Sequence, residues 1–222
     1  SLSVTFTPAD TADFLSATGQ ATINVLKATP TLTVTGVSAT YDTQSHPATF
    51  TITGVNGDNL TSLATVTYNG SSTPPVNAGT YTVTASFPGN SDYNPVSDSS
   101  QKVIISAAST TTTLAASPNP SVVGQAVTLT ATIAVVSPGG GLPTGSVTFY
   151  DGTMSLGTIA LPAAGGTVVQ LPTSFLISGP HCLTVVYTAA TSPANFQGST
   201  STAVTQNVLQ DLALLLLDPT GK

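Results

Sequence analysis

One short pattern recurs along this chain and constrains its fold more than any other feature. An alternating run of residues ends on an aromatic side chain, a polar loop follows, and a second aromatic residue comes after the loop. The three copies are Leu2–Phe6 with Phe14, Tyr81–Phe87 with Tyr93, and Gly179–Tyr187 with Phe196. Alternation predicts β-strands, and repetition of one strand-containing unit predicts a tandem array of similar domains.

The charge balance excludes several classes of function. Charged residues make up 5% of the 222 residues, against roughly 25% in ordinary soluble domains. The net charge is −6, with three basic residues in all. Nucleic acids and anionic membranes are bound through clustered cations, so we expect no nucleic-acid partner. No apolar run approaches the roughly 18 residues of a membrane span, so we expect no membrane insertion. Disorder is rejected because 40% of the residues are hydrophobic.

Linker and turn signals divide the chain into four segments. Residues 1–27 contain two alternating runs around a polar loop, which predict the C-terminal hairpin of a partial Ig-like domain. Residues 28–107 and 108–208 each predict a complete β-sandwich, because short alternating strands are separated by closely spaced turn signals. Residues 209–222 predict the first strand of a following unit or a strand donated to another chain.

We therefore expect an all-β fold of tandem Ig-like antiparallel β-sandwiches, with no helices of note. Asn69-Gly70 and Asp151-Gly152 are hairpin signals, because both dipeptides suit the positive backbone angles of tight turns. Prolines and β-branched residues are too dense for a helix. The run Pro138–Pro143 contains three consecutive glycines and predicts a flexible loop.

Two groups of motifs resemble known bacterial repeats. The first resembles the MBG-type repeat of bacterial surface proteins, and its members are Tyr41-Asp42, His46–Phe50, Val66–Gly70 and Pro75–Tyr81. The second resembles a bacterial Ig-like (Big) repeat, and its members are Ser117–Gly124, Pro143–Gly152 and Gly179–His181. Together the two resemblances cover nearly the whole chain.

The resemblance implies a large secreted or surface-attached protein made of β-sandwiches in series. Such repeats serve as stalks, fibres and adhesins, so the expected function is that of an extracellular structural segment at the bacterial cell surface. The family supplies no catalytic, cofactor-binding or metal-binding residues to carry over, and we expect no enzyme and no cofactor. The alternative is a carbohydrate- or surface-binding accessory module of a secreted enzyme. The absence of Trp and the aromatic fraction of 6% count against that alternative.

The two histidines and the single cysteine are the residues that reactive chemistry would require. No Gly-x-Ser-x-Gly pattern accompanies them. His181 occupies the position of Tyr81 in the recurring unit, which predicts a structural role, either packing or hydrogen bonding where the strand begins, like the tyrosine corner of Ig-like sandwiches. His46 is predicted to lie in a turn or on the surface. Alternation with His181 predicts that Cys182 lies on the outer face.

Paired aspartates are the remaining candidates for a site. Asp10 with Asp13, and Asp92 with Asp98, lie in or just after the recurring loops. Oxygen ligands suit calcium, but the spacing lacks an EF-hand pattern. The other interpretation is that Asp and Asn side chains fix turns through hydrogen bonds to the backbone. The sequence predicts no metal site.

Two interpretations of the partners stay open. Exposed sheet edges are usually guarded by charges, and this chain has few. Residues 209–217 of one subunit would complete residues 1–27 of the next by strand addition, which predicts head-to-tail self-association. Alternatively, the sequence is a fragment of a longer array whose neighbouring repeats of the same chain supply the contacts. A surface glycan or protein ligand is a further candidate partner.

Overall fold

The computed structural model describes residues 1–210, and strands dominate their regular structure. In chain order the strands are β1 (Leu2–Phe6), β2 (Ala17–Ala21), β3 (Thr31–Thr35), β4 (Val37–Thr40), β5 (Thr49–Thr53), β6 (Thr65–Tyr68), β7 (Gly79–Phe87), β8 (Val96–Asp98), β9 (Lys102–Ser106), β10 (Thr110–Ser117), β11 (Ser121–Val122), β12 (Val127–Val135), β13 (Gly145–Asp151), β14 (Met154–Ala160), β15 (Val168–Thr173), β16 (Gly179–Ala189), β17 (Ser199–Thr200) and β18 (Val204–Leu209). The helices of this part of the chain are two 3₁₀ turns, Val55–Gly57 and Thr61–Leu63, and neither is long and apolar enough to span a membrane. The all-β prediction is confirmed. The strand predicted after Leu209 lies outside the described residues.

The chain forms two compact units, each assembled from separate stretches of sequence. The first contains Ser1–Val34, Phe50–Val66 and Ala85–Asp98. The second contains Thr35–Thr49, Thr67–Thr84 and, of the described residues that follow, 99–210. The limits of these units therefore differ from the predicted limits of the repeats, which stay a prediction.

The first unit begins with an amphipathic hairpin. Strands β1 and β2 pair antiparallel, with Leu2 opposite Ala21 and Phe6 opposite Ala17. Side chains alternate between the two faces of a strand, so Leu2, Val4 and Phe6 share one face. Every residue of both strands is exposed.

The return strand of this hairpin differs from the prediction. Alternation at Ala21, Ile23 and Val25 predicted a strand there, but β2 runs from Ala17 to Ala21 and residues 22–27 form no strand. In the described residues β1 pairs with β2 from Leu2 opposite Ala21 to Phe6 opposite Ala17, and no strand pairs with residues 22–27.

The rest of the first unit holds a small core. Strand β3 pairs with β5, and β8 pairs with the end of β7 at Ala85–Phe87. The buried cluster of this unit consists of Ile52, Leu60, Phe87 and Tyr93. The core therefore contains both aromatic residues of the second copy of the recurring pattern. Phe87 ends the strand, and Tyr93 follows the loop.

The second unit contains a β-sandwich of two sheets. The larger sheet has the order β11-β18-β16-β13-β14, with β17 also paired to β16, and the smaller has the order β10-β12-β15. One buried cluster draws on both sheets, including Leu129 and Ile133 of β12, Phe149 of β13 and Tyr187 of β16. Strict alternation along these strands explains why each presents one apolar face to the other sheet.

Two sets of strands in the second unit share one pairing scheme. Strand β4 runs parallel to β9, and β9 pairs antiparallel with the beginning of β7, where Gly79 lies opposite Ile105. In the sandwich, β11 runs parallel to β18, and β18 pairs antiparallel with the beginning of β16, where Gly179 lies opposite Val208. The matching registers make β4, β7 and β9 the counterparts of β11, β16 and β18.

The threonine run at 110–113 has a role that alternation alone did not predict. We expected it to lead into a strand at Leu114, but β10 already begins at Thr110. Thr110 and Thr112 point inward and are buried, and their hydroxyl groups bond to the hydroxyl of Ser199 at 2.8 and 2.7 Å. A buried hydroxyl is tolerated when it is hydrogen-bonded, so threonine serves here as a core residue.

Candidate functional site: strand corners and the repeat junction

His181 lies at the beginning of β16 and holds two other segments in place. Its Nδ1 lies 2.6 Å from Oδ2 of Asp151, at the end of β13, and its Nε2 lies 2.8 Å from the carbonyl oxygen of Ile177. Both partners are acceptors, so a ring protonated on both nitrogens donates to both. The structural role predicted for this residue where the strand begins is confirmed, and of packing and hydrogen bonding it is hydrogen bonding that the structure shows.

The surroundings of His181 favour its charged form. Burial acts to lower the pKa of the imidazole, but the hydrogen bonds to Ile177 and Asp151, with the charge of Asp151, outweigh burial and raise the pKa above its usual value. In the charged form both ring nitrogens donate, so the arrangement ties the end of β13 and Ile177 to the beginning of β16.

Tyr81 makes the corresponding bond in the second copy of the pattern. Its hydroxyl donates to the carbonyl oxygen of Asn77 at 2.9 Å, just as His181 reaches the carbonyl four residues before it. The glycines two residues ahead of the rings, Gly79 and Gly179, both have positive φ angles. The structure therefore has two equivalent strand corners, and the histidine corner differs by its added carboxylate partner.

His46 lies in the connection between β4 and β5 and belongs to a local turn. Its Nε2 lies 3.0 Å from Oδ1 of Asp42, and the backbone N–H of Gln44 donates to the same oxygen at 2.8 Å. The hydrogen bond from Gln44, followed by the hydrogen bond and charge of His46, lowers the pKa of Asp42 against the opposing effect of burial. The turn role predicted for His46 is confirmed.

The loop aspartates and asparagines also fix turns. Oδ1 of Asp10 accepts hydrogen bonds from two following backbone N–H groups, and Oδ1 of Asn90 accepts from the N–H groups of Asp92 and Tyr93. These hydrogen bonds agree with the interpretation that the side chains fix turns. Within residues 1–210, no three His, Cys, Asp or Glu side chains are grouped so that they could hold a metal ion.

Cys182 is exposed, as alternation predicted. Its neighbour His181 faces inward and is nearly buried. The thiol therefore lies on the outer face of the larger sheet, opposite Thr205 of β18.

A second candidate site lies where the chain passes from β9 to β10. Ala108 in this linker is fully buried and forms a parallel bridge with Phe196. Its N–H donates to the carbonyl of Asn195 at 2.8 Å, and its carbonyl accepts from the N–H of Gln197 at 2.8 Å. The loop after β16 therefore binds the linker that precedes β10, the first strand of the same sandwich.

The earlier linker is held in the same way. Ala28 donates its N–H to the carbonyl of Asp92 at 2.9 Å and accepts from the N–H of Asn94 at 2.7 Å, on either side of Tyr93. The second aromatic residue of the recurring pattern thus marks the loop that binds a linker. Tyr93 is also held by a hydrogen bond from its hydroxyl to Asp58, which raises the pKa of the tyrosine.

At the later linker, side chains from both sides of the boundary meet. The amide of Asn195 donates from Nδ2 to Oδ1 of Asn77 at 2.9 Å and accepts from the N–H of Ala78 at 2.8 Å. The rings of Phe196 and Tyr41 meet edge to face, with centroids 5.3 Å apart. Asn195 and Phe196 are both buried, whereas Asn77 is exposed, so the contact is sheltered from water on the side of the loop after β16.

The glycine run at 139–141 is part of this contact, which corrects the expectation of a flexible loop. The N–H of Gly140 donates to the carbonyl of Tyr41 at 3.1 Å. A side chain at Gly140 would lie 2.9 Å from the carbonyl oxygen of Asp42, and one at Gly141 would lie 2.9 Å from Thr43. The glycines allow two backbones to approach closely. Sequence reasoning missed the junction, although consecutive glycines were a signal for such an approach.

The strand corner and the hydrogen-bonded linker each occur twice in the described residues. This repetition defines the chain as a series of β domains. Residues 30–109 match the MBG domain family, and residues 112–209 match the bacterial Ig-like domain (group 3) family. The chain therefore contains an MBG domain followed by a bacterial Ig-like domain, as the motifs indicated. These two matched stretches are called the first and the second repeat below.

Solved structures with a related architecture are distant. The fibronectin(III)-like modules of CbhA from Clostridium thermocellum are 15% identical with a TM-score of 0.34, covering 81% of this chain and 95% of that one. Domains 4 and 5 of the S-layer protein SbsC are 14% identical with a TM-score of 0.30, covering 72% and 90%. Likeness at these TM-scores supports no conclusion about function. No curated protein matches the chain.

Proposed function

We propose that this chain is an extracellular structural segment of a bacterial surface protein, acting as a stiff spacer in a stalk, fibre or adhesin. The membership of both repeats in the MBG and bacterial Ig-like families supports this function. The nearly uncharged, threonine-rich sequence supports it as well, because solvation is left to hydroxyl and amide groups rather than to charges that would attract ligands.

The junction between the repeats is the observation that carries the proposal. A boundary that served as a binding cleft would leave polar groups free to meet a ligand. Here the two amide atoms of Asn195 are bonded to the neighbouring loop, and the ring of Phe196 is covered by Tyr41. Such a boundary transmits position and force between the repeats.

Display on a bacterial surface tests the spacer role. The chain is inserted between a membrane anchor and a small reporter domain, and a Gly/Ser linker of equal length is the control. A stiff spacer holds the reporter above the surface polymers, so a large antibody should bind the reporter better than it does on the flexible linker, which coils. Equal antibody binding for the two insertions would contradict the spacer function.

The hairpin of β1 and β2 supports a finer proposal about partners. Its apolar face, with Leu2, Val4 and Phe6, is exposed, and contiguous apolar surface marks an interaction site. We propose that a neighbouring repeat or a second copy of this chain covers that face. Light scattering on the 222-residue chain separates the two, because a second copy predicts concentration-dependent growth in mass and Phe6→Ser should abolish it. A monomer at all concentrations would leave only the neighbouring repeat.

A surface-binding module is the second candidate, and one exposed residue favours it. Phe175, in the loop before β16, is 90% exposed, as an aromatic platform for a glycan would be. Binding to a panel of immobilised polysaccharides, compared between the chain and Phe175→Ser, tests this function. Binding that the substitution removes would favour the module, and absence of binding would eliminate it.

A further inference from the structure

We propose that the second compact unit is one cooperative block that crosses the boundary between the two repeats, and that Asn195 is the positioning residue that couples its two sides. The inference deepens the proposed spacer role, because a block that spans the boundary keeps it from bending. The inference rests on the proposed spacer function only for what the block does in the cell. The cooperativity of the block is tested separately.

Asn195 joins three separate segments with its backbone and side chain. Its carbonyl accepts from Ala108 of the linker, Nδ2 donates to the side chain of Asn77, and Oδ1 accepts from the backbone of Ala78. The residue is buried, with 6% of its surface exposed. Removal of the buried Asn195 amide leaves the half-buried N–H of Ala78 without its acceptor, which is more costly than loss of a fully exposed bond.

Close steric fit surrounds this amide. Gly140 and Gly141 approach the backbone of Asp42 and the side chain of Thr43 so closely that added side chains would collide with them. The rings of Phe196 and Tyr41 meet edge to face at the same boundary. Close packing of this kind has few alternative arrangements, so the loops on the two sides should open together or not at all.

The limits of the compact unit agree with this coupling. Both loops that meet the second repeat, at residues 41–43 and 77–78, belong to stretches of the first repeat that cluster with residues 99–210. Strand β9 links them covalently and by pairing, because it pairs with β4 and with the beginning of β7 and then leads into Ala108. The cooperative unit therefore differs from the family unit.

Asn119 offers a control within the second repeat that is matched in its hydrogen bonds, on an exposed side chain. Like Asn195, it uses both amide atoms, donating to the carbonyl of Thr205 at 2.8 Å and accepting from the N–H of Asn207 at 3.0 Å. Both of its partners lie in β18. Replacing it weakens the second repeat without touching the junction.

Native-state hydrogen exchange across a denaturant series tests the proposal on the 222-residue chain. Amides of the β7–β9 pair report the first repeat's side, and amides of β12 report the second. In the wild type both sets should exchange through the same opening and follow one dependence on denaturant. In Asn119→Ala both sets should exchange faster by the same factor, because a single block loses stability as a whole.

Asn195→Ala should separate the two sets. We expect the β7–β9 amides to open about tenfold more often than those of β12, as the loss of two partly buried hydrogen bonds implies. Asn77→Ala, which leaves the second repeat intact, should do the same with a smaller factor, and it keeps the test valid if Asn195→Ala fails to fold. Different openings in the wild type, or acceleration confined to β12 in Asn119→Ala, would overturn the proposal. Neither outcome depends on whether the displayed chain acts as a spacer.

Discussion

The first and third copies of the recurring pattern have similar sequences and opposite environments. In the first copy, Phe6 ends the strand and Phe14 follows the loop, and they are 61% and 63% exposed. In the third copy, the corresponding Tyr187 and Phe196 are 1% and 7% exposed. The local pattern thus sets where the strand and the loop lie, whereas burial depends on the elements that cover them.

The difference lies in what faces each strand. The third copy lies in a sheet whose inner face meets β12 across a shared core. Within residues 1–210 the first copy pairs only with β2, and small residues such as Ala17 and Ala21 lie opposite its apolar side chains. A two-stranded hairpin has no second layer to cover its apolar face.

The largest expected effect is a difference in stability between variants at the second aromatic residue of the third and first copies. Phe196→Ala should lower the free energy of unfolding by about 3–5 kcal/mol, as for other buried phenylalanines. Phe14→Ala should change it by at most about 0.5 kcal/mol, as for exposed sites. Urea unfolding followed by circular dichroism measures both. Similar losses for the two variants would mean that Phe14 contributes as much to stability as Phe196, in spite of its exposure.

The strand corners give the next effect. His181→Ala leaves the Asp151 carboxylate and the Ile177 carbonyl without their donor, and we expect a loss of about 2 kcal/mol, because the bond to a charged group is the stronger kind. Tyr81→Phe removes one neutral bond at a more exposed corner and should cost less than about 1 kcal/mol. Thermal unfolding of both variants measures the difference. An equal loss would show that the carboxylate partner adds nothing.

The pH dependence sharpens the same contrast. The pKa of His181 is raised in the folded state, so its contribution to stability is complete below the ordinary histidine pKa of about 6.5. The contribution is lost as the pH rises through the raised folded pKa. The melting temperature of the wild type should therefore fall toward that of His181→Gln as the pH rises. A constant gap would contradict a protonated ring, and His46→Gln is the control that should keep the wild-type trend.

An effect smaller than those at Phe196 and His181 concerns the hydroxyl group that distinguishes Tyr187 from Phe6 and Phe87. This hydroxyl donates to the carbonyl of Thr144 at 2.7 Å, and burial raises the pKa of Tyr187 to about 12. Tyr187→Phe should cost about 1 kcal/mol, because the ring stays in place and one bond is lost. Guanidinium unfolding is the measurement. A loss of stability larger than that of His181→Ala would contradict this expectation. It would mean that the single hydrogen bond of the Tyr187 hydroxyl stabilises the fold more than both hydrogen bonds of His181.

Much of the candidate site was predictable where one residue's role depends on near neighbours. Alternation placed His181 inward and Cys182 outward, and the match of His181 to Tyr81 predicted a structural role where the strand begins. The junction was unpredictable by this route. Asn195 meets Asn77 and Ala78 across sequence separations of 118 and 117 residues, and no local pattern connects positions so far apart.

The sequence by itself determined the all-β class, the positions of most strands, the two repeats and the turn roles of its asparagines and aspartates. These follow from alternation, backbone preferences and hydrogen bonds over a few residues. The tertiary structure alone decided that Phe196 is buried while Phe14 is exposed, that the glycines at 139–141 pack closely, and that the boundary between the repeats is filled. Burial depends on which distant element lies opposite a side chain, and that pairing is settled by the folded chain as a whole.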